Sequence, residues 1–114
     1  MKSNLEKLLR EDFGDILDCC LNIEVGDGWY TPIACYLELL QQYIKRKKLK
    51  QTRVVIMRSV GGTLNVCVKN PTPTITKMTK NLKLTCFSTC EVCGKAGELD
   101  KEITKVVCKK HGKG

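Results

Sequence analysis

RVVIMRSVGGTLNVCV, residues 53–68, is where the chain changes its period. Residues 53–58 and 63–68 are rich in β-branched side chains and are separated by Ser59-Val60-Gly61-Gly62. Two adjacent glycines accept the positive φ that a tight turn demands, so the stretch predicts a β-hairpin. Residues 54–57 are apolar at every position. That predicts a strand covered on both faces, or covered on one and paired with a partner. Asn70-Pro71-Thr72-Pro73 stops the sheet, because proline has no N–H to give to a ladder.

Upstream of the hairpin the spacing is helical. Residues 3–25, SNLEKLLREDFGDILDCCLNIEV, read as helix in two pieces, with Gly14 bending the chain between Phe13 and Ile16. Ser3 and Glu6 have capping-box spacing. Gly26-Asp27-Gly28 is a turn, and Trp29-Tyr30-Thr31-Pro32 opens a second helix with Thr31 as its cap and Pro32 in its first turn. Tyr30 is placed to staple onto Cys35 across that cap. Ile33, Leu37, Leu40 and Ile44 follow as one apolar stripe, and the cations of residues 45–48 oppose the helix's negative end. A Gly-Asp-Gly corner with Trp29 as a buried anchor accounts for GDGWY more simply than a ligand site built on Asp27.

Downstream, Thr74 can cap a third helix in which Ile75, Met78, Leu82 and Cys86 share one side and Lys77, Lys80 and Lys83 the other. The fold class is therefore α+β: two to three helices packed on a β-hairpin, residues 1–88, followed by a small C-terminal module, residues 89–114. The expected core is Leu5, Leu8, Ile16, Leu21, Trp29, Ile33, Leu37, Leu40, Ile44, Val54, Ile56, Leu64, Val66, Ile75, Met78 and Leu82.

That module carries the most specific motif. CEVCGKAGELDKEITKVVCKKH places Cys90, Cys93, Cys108 and His111 at C-x2-C-x14-C-x2-H, and His111 is the chain's single histidine. Zn²⁺ takes four N or S ligands in a tetrahedron, and C-x2-C turns deliver two thiolates to one ion. Gly94 suits the knuckle turn, Gly97 the turn after it, and EITKVV a returning strand. A redox Cys90–Cys93 pair would want a βαβ context and would leave Cys108 and His111 without a role. Cys86 competes as a ligand but falls on the apolar face of the third helix. Four protein ligands close the site, whereas catalytic zinc keeps a position open. The nearby acids Glu91, Glu98 and Glu102 look like ordinary exposed carboxylates, and no second histidine exists to activate a nucleophile. The expectation is structural zinc and no enzyme activity.

Eight cysteines could instead form a disulfide framework. The N-terminus has no apolar run of signal-peptide type, Cys19 and Cys20 are adjacent, and Cys35 and Cys67 lie in apolar periodic segments that suit small core thiols. No stretch approaches the ~20 apolar residues of a membrane span. These features read as a soluble protein of a reducing cytoplasm.

Charge is the remaining signal. The net charge is +8, residues 1–29 hold seven acids against three bases, and residues 39–89 hold eleven Lys and Arg and no acid. A solvated helix face usually mixes signs, so a run of one sign points to an anionic partner. Lys45, Arg46, Lys47, Lys48, Lys50, Arg53 and Arg58 form the candidate surface, extended by Lys77, Lys80 and Lys83 and by Lys109 and Lys110. Its partner is a nucleic acid backbone, DNA or RNA, or an acidic host protein. Trp29 and Tyr30 lie in the acidic part, so no stacking platform for bases is interleaved with the cations.

GDGWY, the strand–Gly-Gly–strand stretch and TCEVCGKAGEL with VVCKKH, in that order, resemble small proteins recurring in tailed-phage and prophage genomes. Where those proteins often carry an aromatic and a basic flank at the double glycine, this chain has Ser59-Val60-Gly61-Gly62-Thr63-Leu64-Asn65. The resemblance, over roughly residues 15–112, implies an accessory phage protein of the bacterial cytoplasm that binds and redirects a host protein or blunts a defence system.

Overall fold

A computed structural model describes residues 3–20 and 23–111. The elements run α1 (Ser3–Leu17), β1 (Ile23–Glu24), a 3₁₀ turn (Asp27–Trp29), α2 (Tyr30–Lys47), β2 (Arg53–Val60), β3 (Thr63–Lys69), α3 (Pro73–Phe87), β4 (Glu98–Asp100) and β5 (Lys105–Val107). Three helices pack on a three-stranded mixed sheet of order β1-β2-β3, and β4-β5 form a separate small hairpin. The architecture is α+β, as the change of period predicts.

The β2–β3 hairpin also forms as predicted. Val60 pairs with Thr63 across Gly61 and Gly62, whose φ values of 58° and 85° supply the doubly positive backbone of a type I′ turn. Of the two expected causes of the apolar run 54–57, cover on both faces does not hold, and a bulge adds a cause of its own. The register slips between Val54 and Ile56, so one extra residue resets the alternation. Val54 and Met57, three apart, both reach the core, while Ile56 turns outward at 40% exposure. The sheet is thus covered on one face, where the helices lie. Its other face shows Ile56, Arg58, Val60, Asn65, Cys67 and Lys69 to solvent.

β1 is absent from the sequence reading, which continues the helix through Val25. Ile23 and Glu24 instead pair in parallel with Met57 and Arg58. The Glu6 carboxylate accepts the Ile23 N–H at 3.1 Å, anchoring this short strand, and the Ser3 side chain of the expected capping box lies outside the described residues. The bend in α1 falls at Phe13 (φ −128°, ψ 30°), next to the expected Gly14. Its core face is Leu9, Phe13, Ile16 and Leu17, one position along from the expected stripe, so Leu8 is exposed and Leu5 half-buried. Leu21 lies outside the described residues.

Two caps shift by two residues, from Thr31 to Trp29 and from Thr74 to Thr72. α2 begins at Tyr30 after Trp29, with no side-chain cap, so Thr31 and Pro32 lie inside the first turn. α3 is capped by Thr72, whose Oγ1 accepts the Ile75 N–H at 3.2 Å, and Pro73 rather than a later residue opens the helix. Ile33, Tyr36, Leu37 and Leu40 of α2 meet Ile75, Leu82 and Cys86 of α3 in the core, and Tyr36 Oη bonds Thr79 Oγ1 at 2.7 Å. Ile44, Val66 and Met78 are half-buried at its margin. Cys35 and Cys67 point to solvent and are not core thiols.

Candidate metal centre

The C-terminal module begins where α3 ends. Cys90 to Gly94 form a knuckle closed by Gly94 N–H on the Cys90 carbonyl (2.9 Å) and Cys90 N–H on the Lys95 carbonyl (2.6 Å). Gly94 sits at φ 84°, which only glycine adopts at little cost. β4 and β5 then pair from Glu98–Val107 to Asp100–Lys105, and Cys108 follows directly on β5. A turn with His111 N–H on the Cys108 carbonyl (3.1 Å) folds the histidine back beneath it.

Those turns bring all four predicted ligands together. The donor atoms of Cys90, Cys93, Cys108 and His111 lie within 4.8 Å of one another. Cys93 Sγ is 3.6 Å from Cys108 Sγ, and His111 Nδ1 is 3.7 Å from Cys90 Sγ and 3.1 Å from Cys108 Sγ. Bond lengths of about 2.3 Å to sulfur and 2.0 Å to nitrogen around a tetrahedral ion put ligand atoms roughly 3.5–3.8 Å apart. The Cys93–Cys108 and Cys90–His111 separations match that figure, the Cys108–His111 one is shorter, and the two sulfurs stand well beyond the ~2.05 Å of a disulfide. None of the eight cysteines is in a disulfide. Cys86 lies outside the cluster, fully buried in the core. Burial, with the Glu91 carboxylate nearby, pushes its thiol up to about 12, so it stays protonated and acts as an apolar core residue.

The ligands tune one another. Burial alone would raise the Cys90 thiol, yet the backbone N–H groups of Cys93, Cys108 and Val92 around its sulfur bring it down to about 6. Cys108 is likewise lowered: burial opposes, but its bond to His111 prevails. His111 is raised in return by Cys108 and Cys90. For Cys93 the Lys95 N–H lowers the thiol, and burial together with the neighbouring Cys90 and Cys108 outweighs it, so the net direction is up. Protons are thus shared inside a cluster that a cation would relieve of them.

Glu91 is the residue that sequence reasoning missed. Far from an exposed acid, it is 5% exposed. Its Oε2 accepts the Gly26 N–H (2.9 Å) and its Oε1 the Ser59 hydroxyl (3.0 Å), while its own backbone N–H bonds the Val106 carbonyl (2.8 Å) and its carbonyl accepts the Gly28 N–H (2.7 Å). Beside it, Trp29 is completely buried and donates Nε1–H to the Thr89 carbonyl at 2.8 Å. The GDGW corner is therefore the seat of the knuckle. A Cβ on Gly28 would collide with the Cys90 carbonyl oxygen and lie 2.8 Å from the Cys93 nitrogen, so only glycine fits. No local signal marks Glu91, since its partners stand 65 and 32 residues away.

The basic residues fall in several places. Lys45, Lys48, Lys50 and Arg53 line an open groove of about 360 Å³ at the end of α2, but Asp15 of α1 lines it too, and Asp18 pairs with Arg53 at 3.3 Å. Arg46 stacks 5.7 Å over the Tyr43 ring, and Lys47 is exposed. Lys80 and Lys83 line a second groove, about 220 Å³, with Leu64, Val66, Thr76 and Thr79 and no acid. Lys77 is exposed on α3, and Arg58 projects from the open face of β2. No described helix is long and apolar enough to cross a membrane.

Comparison with protein-family models, with curated proteins and with solved structures finds no match.

Proposed function

We propose that this chain is a small zinc protein without catalysis of its own, which works by binding a polyanion, the backbone of DNA or RNA, through its basic surface. The reading of the metal as zinc rests on the Cys₃His set and its spacing: soft thiolates with one imidazole in a near-tetrahedral cluster suit Zn²⁺ better than the oxygen-seeking cations. Four protein ligands leave no vacant position for substrate or activated water, which favours a structural role.

The observation that carries the binding reading is the eleven cations and no acid of residues 39–89. All ten candidate residues reach the surface, nine of them exposed and Arg53 half-buried. The grooves differ in promise. Asp15 and Asp18 partly neutralise the one at the end of α2, whereas the α3 groove, with Lys80 and Lys83, keeps its full charge. The phage resemblance supports a second use of the same surface, capture of an acidic host protein in a bacterial cytoplasm, and charge steering serves either partner.

The test is a titration of the zinc-loaded chain against generic duplex and single-stranded DNA and RNA across a salt series. Binding at ~50 mM salt that weakens steeply with added salt is expected, because each neutralised phosphate releases counterions. Lys80→Ala with Lys83→Ala should reduce the salt slope by about 2, roughly one for each cation removed. Negligible affinity at low salt would rule out the nucleic-acid reading and leave the acidic protein.

A further inference from the structure

Glu91 uses every polar atom it has, and it commits them to three separate parts of the chain. Its backbone N–H holds β5 at Val106, its carbonyl and Oε2 hold the turn at Gly28 and Gly26, and Oε1 holds β2 at Ser59. It also follows Cys90 immediately, inside the knuckle that the metal would close. The turn it grips has been reduced to backbone at the points of contact. A Cβ on Gly26 would collide with the Glu91 carbonyl and its Cγ, and one on Gly28 with the knuckle between Cys90 and Gly94. The segment leading into that turn is held by the buried side chains of Ile23 and Val25 and by the Glu6 carboxylate on the Ile23 N–H, but none of these reaches the two glycines. β1 is two residues long, paired to β2 only at Ile23 and Glu24.

A buried carboxylate is costly unless its donors are in place. Here the donors lie on the turn and on β2, while the placement of the carboxylate depends on the knuckle. We infer that Glu91 is the positioning residue that couples the metal centre to the fold, so that metal loading and ordering of the Gly26-Asp27-Gly28 turn are a single event. This rests on the zinc reading of the Cys₃His cluster. Linkage makes the coupling reciprocal: whatever the metal does for the turn, loss of the turn's grip does to the metal's affinity. The carboxylate bonds none of the four ligand side chains; it acts through the backbone of the knuckle, one residue after Cys90.

The experiment uses the full chain, zinc-loaded and stripped with a chelator. Zinc affinity is read by competition with a chromogenic chelator, and amide exchange is followed at Gly26 and Gly28 along with Trp29 emission. Stripping should speed exchange at both glycines at least tenfold and shift Trp29 emission to the red. Glu91→Ala should weaken zinc binding roughly 5–150-fold, the usual range for two coupled sites, and Glu91→Gln, which keeps one carbonyl acceptor, should recover part of it. If Glu91→Ala does not fold, Ser59→Ala removes a single bond and should still weaken zinc severalfold. Unchanged exchange at Gly26 and Gly28 on stripping, or wild-type zinc affinity in the folded variants, overturns the coupling while leaving the zinc site standing. A wild-type chain that takes up no zinc overturns both.

Discussion

The two hairpins of this protein are built to the same pairing rule and held by different forces. β2–β3 places Val54, Met57 and Leu64 under three helices, and burial secures it. β4–β5 has three paired positions and contributes Val106 and Val107, with little further apolar area of its own. Strands this short do not hold together in water without support. The Glu91 bonds supply part of what burial cannot, and a metal held by the Cys₃His cluster would supply the rest, as small modules commonly require. The difference teaches where each hairpin is vulnerable: one to a reduction in side-chain volume, the other to removal of a ligand or a hydrogen bond.

The largest effect should therefore come from the ligands. Elemental analysis should find stoichiometric zinc in the wild-type chain and none in Cys108→Ser, which should also release β4–β5, since metal binding in such modules supplies on the order of 10 kcal/mol of apparent folding free energy. Full zinc content and an unchanged melting temperature in this variant would break the comparison at its root. Acid should act mainly on the same hairpin. The Cys90 thiol is lowered to about 6, so its thiolate is retained above that pH and lost as the pH falls through it. Zinc affinity by chelator competition should thus fall steeply between pH 7.5 and 5.5. Stability of β2–β3, secured by buried apolar side chains, should change less.

Next in size is Met57→Ala. Met57 is fully buried between Ile23 of β1 and Val66 of β3, and truncation should cost about 2–5 kcal/mol in chemical denaturation. Zinc stoichiometry should be unaffected. Gly28→Ala should show the reverse signature: about 1–3 kcal/mol of steric cost, accompanied by weakened zinc, because its Cβ strikes the knuckle. If both variants lose zinc equally, the two hairpins are one cooperative unit and the contrast is only one of degree.

How much of this is legible in the sequence follows the same division. The large hairpin is legible because its signals are local: a period of two and a Gly-Gly turn. The ligand set is legible for the same reason, as spacing within 22 residues fixes which donors can meet. What escapes is non-local. β1 exists only because Ile23 and Glu24 find β2 some thirty residues on, and no periodicity can show in two residues. Ile56 reads as core because a bulge, invisible in composition, resets the phase of β2. Glu91 reads as exposed because charged residues usually are; its burial depends on a turn 65 residues earlier. GDGW reads correctly as a corner with Trp29 buried, while the knuckle seated upon it cannot be inferred from the corner alone.

The smallest effects should arise where the two hairpins touch. Gly61 and Gly62 share the type I′ turn and both have positive φ, but their surroundings differ. Nothing lies within 4 Å of a Cβ built on Gly61, whereas one on Gly62 would come within 2.5 Å of Leu99 Cδ1 in β4. Gly61→Ala should therefore cost only the left-handed backbone, about 1–2 kcal/mol, and Gly61→Asn should recover most of that, since asparagine accepts this conformation. Gly62→Ala bears the same backbone cost plus a push on Leu99, whose side chain is flexible enough to yield. The excess of Gly62→Ala over Gly61→Ala should be under about 1 kcal/mol, and it should vanish in a Leu99→Ala background. A double-mutant cycle in denaturant measures that difference directly. An excess that persists without Leu99 would mean that the turn residue itself, rather than the packing between the hairpins, sets the cost, and the two hairpins would then be mechanically independent at this point.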